Sequence, residues 1–190
     1  MIRKISFALG ILFAMTPTLV AENIPNPCEL LALKEVENVV KVPLKPARLR
    51  DDRSHFGGMS CEYFSAKQFE KPGGAKITLD TTSSMKATDS IYESAKKLYD
   101  KQKYAVKKAL KRQHKEDTFL KMDKLGDDAY WIGNSLRILD GDTYIVIIAS
   151  GGPKLSAHSS EELDKKVSER KLTLSKELAK LVLERLEQKK

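Results

Sequence analysis

Residues 126–151 decide the fold, and they read GDDAYWIGNSLRILDGDTYIVIIASG. Two turn signals, Gly133-Asn134 and Asp140-Gly141, divide this stretch into three short runs rich in strand-forming residues. Asp-Gly suits the positive φ angles that a two-residue hairpin turn requires. The pattern therefore predicts three consecutive antiparallel strands, a β-meander.

The last run of this stretch predicts the centre of the sheet. Tyr144, Val146 and Ile148 alternate with Ile145 and Ile147, so both faces of the strand are apolar. A strand that is apolar on both faces is covered on both sides. We therefore expect it to lie in the middle of the sheet.

Upstream, the chain predicts a hairpin. Residues 59–64 and 75–82 are two strand-like runs separated by the turn signal Pro72-Gly73-Gly74. The polar residues 45–58 before them predict a loop. Residues 118–125 fit either a short strand or an extended lead into the meander.

Three segments predict helices. Asn26 suits an N-cap, with Pro27 at the first helical position and Glu29 as the capping-box acid, and Pro43 ends this helix. A long helix is predicted from Thr88 or Asp89 to about residue 111, and its apolar stripe consists of Ile91, Ala95, Leu98, Ala105 and Ala109. A capping box at Ser159 and Glu162 begins an apolar helical stripe that reaches Leu186, either as one helix or as two.

This order of elements predicts an α+β fold, in which an antiparallel β-sheet (hairpin plus meander) is packed by about three helices. Residues 1–21 have the pattern of a signal peptide, because Arg3 and Lys4 precede an apolar run that ends in small residues. The run is shorter than the ~20 residues of a membrane span, so a retained anchor is the weaker interpretation. We expect cleavage to leave a single domain, residues 22–190, that is periplasmic or secreted and has no transmembrane anchor.

Cys28 and Cys61 are the only cysteines. In an exported protein such a pair predicts one disulfide, which closes a loop of roughly 30 residues. Lipidation of Cys28 is disfavoured because Ile24 to Pro27 is not a lipobox. A redox pair is disfavoured because the C-x-x-C spacing is absent.

Four short motifs resemble those of small exported bacterial domains of unknown function. They are Pro27 to Leu31, Cys61-Glu62-Tyr63, the Leu125 to Trp131 segment and the Asp140-Gly141-Asp142 turn. Among such domains are actinobacterial lipoproteins with a PsbP-like α+β sandwich, from which this chain departs in lacking a lipobox cysteine. The resemblance implies the fold and a non-enzymatic binding or accessory role, and it carries over no catalytic residue.

The predicted long helix concentrates positive charge. The chain has 34 Lys and Arg against 26 Asp and Glu, a formal net charge of +8. Eight cationic residues form the candidate partner-binding set: Lys96, Lys97, Lys101, Lys103, Lys107, Lys108, Lys111 and Arg112. Such a face suits an anionic surface or an acidic envelope protein, whereas nucleic acid ranks lower for an exported chain. A merely solvated lysine face is the alternative.

Two further candidates are weaker. Tyr130, Trp131 and Tyr144 are candidate pocket residues for a small-molecule or metal carrier, although aromatic residues of a meander more often form core. Asp127 and Asp128 are paired carboxylates that suit either a hard cation or a tight turn, and we favour the turn.

The sequence offers no catalytic motif. Asp51, Asp52 and His55 suit either a small metal site in a loop or a solvated polar loop, and we favour the solvated loop. No H-x-x-x-H pair is present, and no serine lies in a G-x-S-x-G elbow. We therefore assign no metal, cofactor or catalytic residue. The sequence predicts an exported, non-enzymatic binding or accessory protein of the bacterial cell envelope, and it does not identify the partner or the oligomeric state.

Overall fold

The computed structural model describes residues 25–51, 58–88 and 90–189, and the predicted signal peptide, residues 1–21, lies outside them. Within this part of the chain, seven strands form one antiparallel sheet in the order β1-β2-β3-β7-β6-β5-β4. The strands are β1 Arg48–Asp51, β2 Met59–Phe64, β3 Gly74–Thr81, β4 Leu120–Met122, β5 Asp128–Ile132, β6 Ser135–Asp140 and β7 Thr143–Ser150.

The meander and the hairpin are both confirmed. Strands β5, β6 and β7 pair in succession, and the turn residues Gly133 and Gly141 have the positive φ angles of 61° and 54°. Strands β2 and β3 form the predicted hairpin. Strand β7 is the fourth of the seven, so the doubly apolar strand lies at the centre, as expected.

Four α-helices cover the sheet in the described part of the chain: α1 Leu33–Val40, α2 Thr82–Ala87, α3 Ala95–Gln113 and α4 Ser160–Gln188. Single turns of 3₁₀ helix lie at Pro27–Glu29 and Glu116–Thr118. The architecture is therefore α+β, with one more helix than the three that the sequence predicts.

The helices lie on opposite faces of the sheet and create two hydrophobic cores. One core joins Trp131 and Ile145 to Val36 of α1 and Leu178 of α4. The other joins Tyr130 and Tyr144 to Leu98 and Tyr99 of α3 and to Met85 of α2. Successive side chains of a strand point to opposite faces, and for this reason neighbours in β5 and β7 belong to different cores.

The prediction of one continuous first helix is wrong, because the segment forms two separate helical pieces. Asn26 does cap a helical turn, since its Oδ1 accepts the Cys28 N–H at 2.9 Å. The helical turn then ends before α1 begins. Leu30 and Leu31 are both buried there, and the Leu31 carbonyl accepts a hydrogen bond from the buried Tyr63 hydroxyl at 3.0 Å. The Glu35 carboxylate accepts the Ala32 N–H at 2.7 Å and begins the second helix.

Residues 48–51, predicted as loop, form the edge strand β1. All four are exposed, and Leu49 is opposite Cys61 across the ladder. Backbone pairing with β2, rather than burial, holds this strand, so it has no apolar alternation to reveal it. Asp52 and His55 lie outside the described residues.

The predicted long helix starts later than expected. Its first residue is Ala95, and the Ser94 hydroxyl caps it by accepting the Lys97 N–H at 3.2 Å. Thr81 caps a separate short helix, α2, through the Ser84 N–H. Asp89, one of the two predicted start positions, is outside the described residues.

The C-terminal stripe is one continuous helix, α4. Ser159 caps it as predicted, but the Glu162 carboxylate accepts the His158 N–H rather than that of Ser159. Within residues 118–125, Leu120–Met122 forms the short edge strand β4.

Cys28 and Cys61 form the predicted disulfide. The bond joins the first 3₁₀ turn to β2, and Cys61 is fully buried in the core that faces α4. It therefore fixes the N-terminal segment against the sheet.

We expect the double substitution Cys28→Ala with Cys61→Ala to lower the free energy of unfolding. The bond spans 33 residues of sequence, and loop closure of that length in the unfolded chain contributes about 3–4 kcal/mol. Urea denaturation of the oxidised protein and the double variant measures the difference. The reduced wild-type protein is the matched control, and a loss below about 1 kcal/mol would contradict the assignment of a stabilising role.

Candidate functional site

Helix α3 contacts the sheet through one side only. Leu98 and Tyr99 are buried, and Gln102, Val106 and Leu110 continue this side at partial exposure. The predicted apolar stripe is therefore wrong in part. Ile91 is 67% exposed and lies before the helix, and Ala105 and Ala109 are exposed.

Three of the eight predicted binding residues have carboxylate partners. Lys96 pairs with Asp100 at 2.7 Å on the helix surface, and Lys97 pairs with Glu93. Lys103 forms a partly buried ion pair with Asp128 of β5, which ties α3 to the sheet. These three lysines are neutralised within the fold.

The other five carry no carboxylate partner among the described residues. They are exposed and consist of Lys101, Lys107, Lys108, Lys111 and Arg112, which we call the basic face. Helical spacing places most of them on the side opposite Tyr99.

Aromatic rings accompany the basic face. The Lys101, Lys107 and Lys108 ammonium groups lie 5.3, 4.9 and 5.9 Å from the ring centroids of Tyr92, Phe119 and Tyr104, respectively. Tyr104 is itself 66% exposed among these cations. The surface is thus both cationic and aromatic.

The predicted pocket residues are not brought together as a set. Tyr130 and Tyr144 lie beneath α3, where their rings are 5.5 and 5.6 Å from that of Tyr99. Trp131 belongs to the opposite core, beneath α4. All three are buried.

The structure adds Arg137, which the sequence analysis did not select. It lies on β6, on the α3 side of the sheet, with its Cζ 6.0 Å from the Tyr130 ring centroid. A charged residue between the apolar residues Leu136 and Ile138 is a signal that was present in the sequence. Inward-facing charges are rare unless they have a partner.

Burial decides the protonation of the tyrosines beneath α3. Desolvation raises the pKa of Tyr99, Tyr130 and Tyr144, although Arg137 opposes the shift at Tyr130 and Tyr144. These phenols therefore remain protonated at neutral pH.

The paired carboxylates at the start of β5 serve the fold. The Asp127 carboxylate accepts the Gly141 N–H at 2.8 Å and closes the turn before β7. Burial raises the pKa of Asp128, but the hydrogen bond and charge of Lys103 outweigh burial and hold the pKa below its ordinary value. Within the described ranges, no three His, Cys, Asp or Glu side chains cluster as a metal site.

No known protein family, curated protein or solved structure matches the chain. The resemblance to the PsbP-like family therefore stays a prediction. None of the helices in residues 25–51, 58–88 and 90–189 has the length and apolar character needed to cross a membrane.

Asp80, on β3, is a buried acid outside the basic face. It is 8% exposed, and it makes no hydrogen bond or ion pair within the described part of the chain. Burial raises the pKa of its carboxyl to about 7. In the unfolded chain the pKa is about 3.9, so folding opposes ionisation of this group.

We expect this raised pKa to make the protein less stable as the pH rises. The stabilising contribution of protonated Asp80 is complete below about pH 4 and is lost as the pH rises towards the folded-state pKa, about 7. Asp80→Asn removes the ionisable group and should increase the free energy of unfolding by about 2–4 kcal/mol at pH 8, with little change at pH 4. Urea denaturation at pH 4, 6 and 8 measures both profiles.

The control for this experiment is Asp123→Asn, because Asp123 is an exposed acid in the turn before β5. Its profile should follow that of the wild type. If Asp80→Asn also follows the wild-type profile at all three pH values, the buried carboxylate does not set the pH dependence.

Proposed function

We propose that this protein is an exported, non-enzymatic binding protein that holds an anionic component of the bacterial cell envelope against the basic face of α3. The observation that carries the proposal is a set of five exposed cations with no carboxylate partner in the described residues. Other basic residues of the same helix are matched with acids, so the basic face is the part of α3 that is left uncompensated.

The spacing of these charges supports an external partner. Lys101 and Arg112 are about 16 Å apart along the helix at 1.5 Å per residue, so neighbouring charges lie within the ~10 Å Debye length at 0.1 M salt. Like charges at such distances repel one another. An anionic partner relieves this repulsion and is attracted by all five groups together.

The shape of the surface supports an extended partner. The basic face follows the convex outside of a helix, and Tyr104 stands exposed among the cations. Such a surface contacts a membrane of anionic lipid, or an acidic envelope protein, over a wide area. Tyrosine suits this role because its ring and hydroxyl fit an interface between apolar and aqueous surroundings.

The cysteines and the paired aspartates, which are candidates for reactive groups, are engaged within the fold. Both cysteines form the disulfide, Asp127 accepts a backbone N–H, and Asp128 pairs with Lys103. Export is supported by the disulfide, because such bonds persist in oxidising compartments. A carrier built on Tyr130, Trp131 and Tyr144 is not favoured, since these buried rings lie on opposite faces of the sheet.

We expect the triple substitution Lys107→Glu, Lys108→Glu and Lys111→Glu to weaken binding to the anionic partner at least about tenfold, because each cation near an anionic surface contributes about 1 kcal/mol. Co-sedimentation with vesicles of phosphatidylglycerol and phosphatidylethanolamine tests the lipid partner. Pull-down from envelope extracts tests the protein partner. Lys103 is left unchanged because its ion pair with Asp128 belongs to the fold.

The matched control is Lys154→Glu, Lys165→Glu and Lys180→Glu, which produces the same change in net charge at exposed positions outside α3. This variant should retain most of the binding. Equal losses in both variants would show that only net charge matters. Undiminished binding of the α3 variant in both assays would refute the basic face as the binding surface.

A further inference from the structure

Arg137 is a partly buried cation whose hydrogen-bond partners are all neutral. Its Nη1 donates to Gln102 Oε1 at 3.1 Å and to the Tyr144 hydroxyl at 3.3 Å, and its Nε is 3.4 Å from Ser135 Oγ. No carboxylate lies within ion-pair distance of it in the described part of the chain. A guanidinium that is partly removed from water loses solvation, and neutral acceptors replace that solvation less well than an anion does.

Three buried tyrosines lie in the core beside Arg137. The hydroxyls of Tyr99 and Tyr130 are buried and have no hydrogen-bond partner. The Tyr144 hydroxyl accepts from Arg137 at 3.3 Å. Burial without a partner costs each such group about 1–3 kcal/mol.

Two acids lie near this group of tyrosines, namely Asp80, which is opposite Tyr144 across the β3–β7 ladder, and Asp128. Asp128 lies close enough to the Tyr99 hydroxyl to affect its pKa, but the carboxylate pairs with Lys103. Neither acid forms an ion pair with Arg137, so the guanidinium is left without a carboxylate partner in the described part of the chain. Added acceptor oxygens would satisfy the guanidinium.

The guanidinium of Arg137 is within reach of solvent beside Gln102. Arg137 and Gln102 are both partly exposed, whereas Tyr99 and Tyr130 are fully buried behind them. Gln102 Oε1 occupies one acceptor position at Nη1. An incoming anion can take this position when the flexible Gln102 side chain turns towards solvent.

We propose that Arg137 is the centre of an oxyanion-binding site, in which a carboxylate or phosphate group displaces Gln102 and binds the guanidinium. A guanidinium binds two oxygens of one anion through parallel N–H bonds. Chloride offers no such pair of oxygens, so the site discriminates between oxyanions and halides. The site is separate from the basic face and does not depend on it.

The test is thermal unfolding of the purified protein in sodium chloride, sodium acetate or sodium phosphate at one ionic strength and one pH. We expect acetate, phosphate or both to raise the midpoint by about 3 °C or more over chloride, as a ligand that binds only the folded state does at about ten times its Kd. Phosphate also stabilises folded proteins in general by exclusion from their surface, so only a response that the Arg137 and Gln102 variants lose assigns a site, for both anions or for one of them. No response to either anion overturns the proposal.

Two substitutions locate the site. Arg137→Gln removes the charge and should abolish the oxyanion response. Gln102→Glu places a carboxylate beside the guanidinium, so it should raise the midpoint in chloride and also abolish the response. Because Gln102 is partly exposed, this second variant decides the matter even if Arg137→Gln fails to fold.

Gln102→Ala and the α3 triple variant complete the design. Gln102→Ala removes the competing acceptor and should keep or strengthen the response. The variant with Glu at positions 107, 108 and 111 should keep it, because those residues belong to the basic face. An oxyanion response that survives Gln102→Glu, or that disappears in the triple variant, would overturn the assignment to Arg137.

Discussion

The pairing of β3 with β7 is the constraint on which the rest of the structure depends. Eight residue pairs, from Gly74 opposite Ser150 to Thr81 opposite Thr143, join the hairpin to the meander in one sheet. The pairing places β7 at the centre and leaves short edge strands on both sides. A central strand exposes two faces, and both must be covered by helices.

The two hydrophobic cores, one on each face of the sheet, differ in their chemistry. Beneath α1 and α4 the core is aliphatic around Trp131 and is closed by the disulfide. Beneath α3 it is made of tyrosines around Arg137, and two hydroxyls have no partner. An apolar layer gains all of its stabilisation on folding, whereas a polar layer with missing partners can gain more from a ligand.

The sequence predicted those elements that depend on local signals. The meander follows from turn residues such as Asp140-Gly141, and the central position of β7 follows from its two apolar faces. Strand β1 was not predicted because its four residues are all exposed and show no apolar alternation. It is a strand only because its backbone pairs with β2. The break before α1 depends on Tyr63, 32 residues further along the chain, which no local pattern contains.

The candidate site was predictable only in outline, and the reasons are again physical. The lysine-rich helix was visible, but its division into paired and unpaired cations was not, because the partner of Lys103 is Asp128, 25 residues away. The grouping of Tyr130 with Trp131 conflicts with the strand period itself, since adjacent residues point to opposite faces. Applying that period strictly would have placed Tyr130 with Arg137, two strand neighbours that face each other across the β5–β6 ladder.

Helix α3 therefore borders two groups of cations that have no carboxylate partner in the described part of the chain. Its outer side carries cations without acids, and its inner side adds Gln102, a neutral acceptor, to a guanidinium without an acid. Lys103 and Asp128 form the ion pair that holds the helix to the sheet between these two sides. Charge compensation is complete where Lys103 holds α3 to the sheet and incomplete where α3 meets solvent or Arg137. For this reason one proposed binding site lies on α3 and the other lies beside it, on β6.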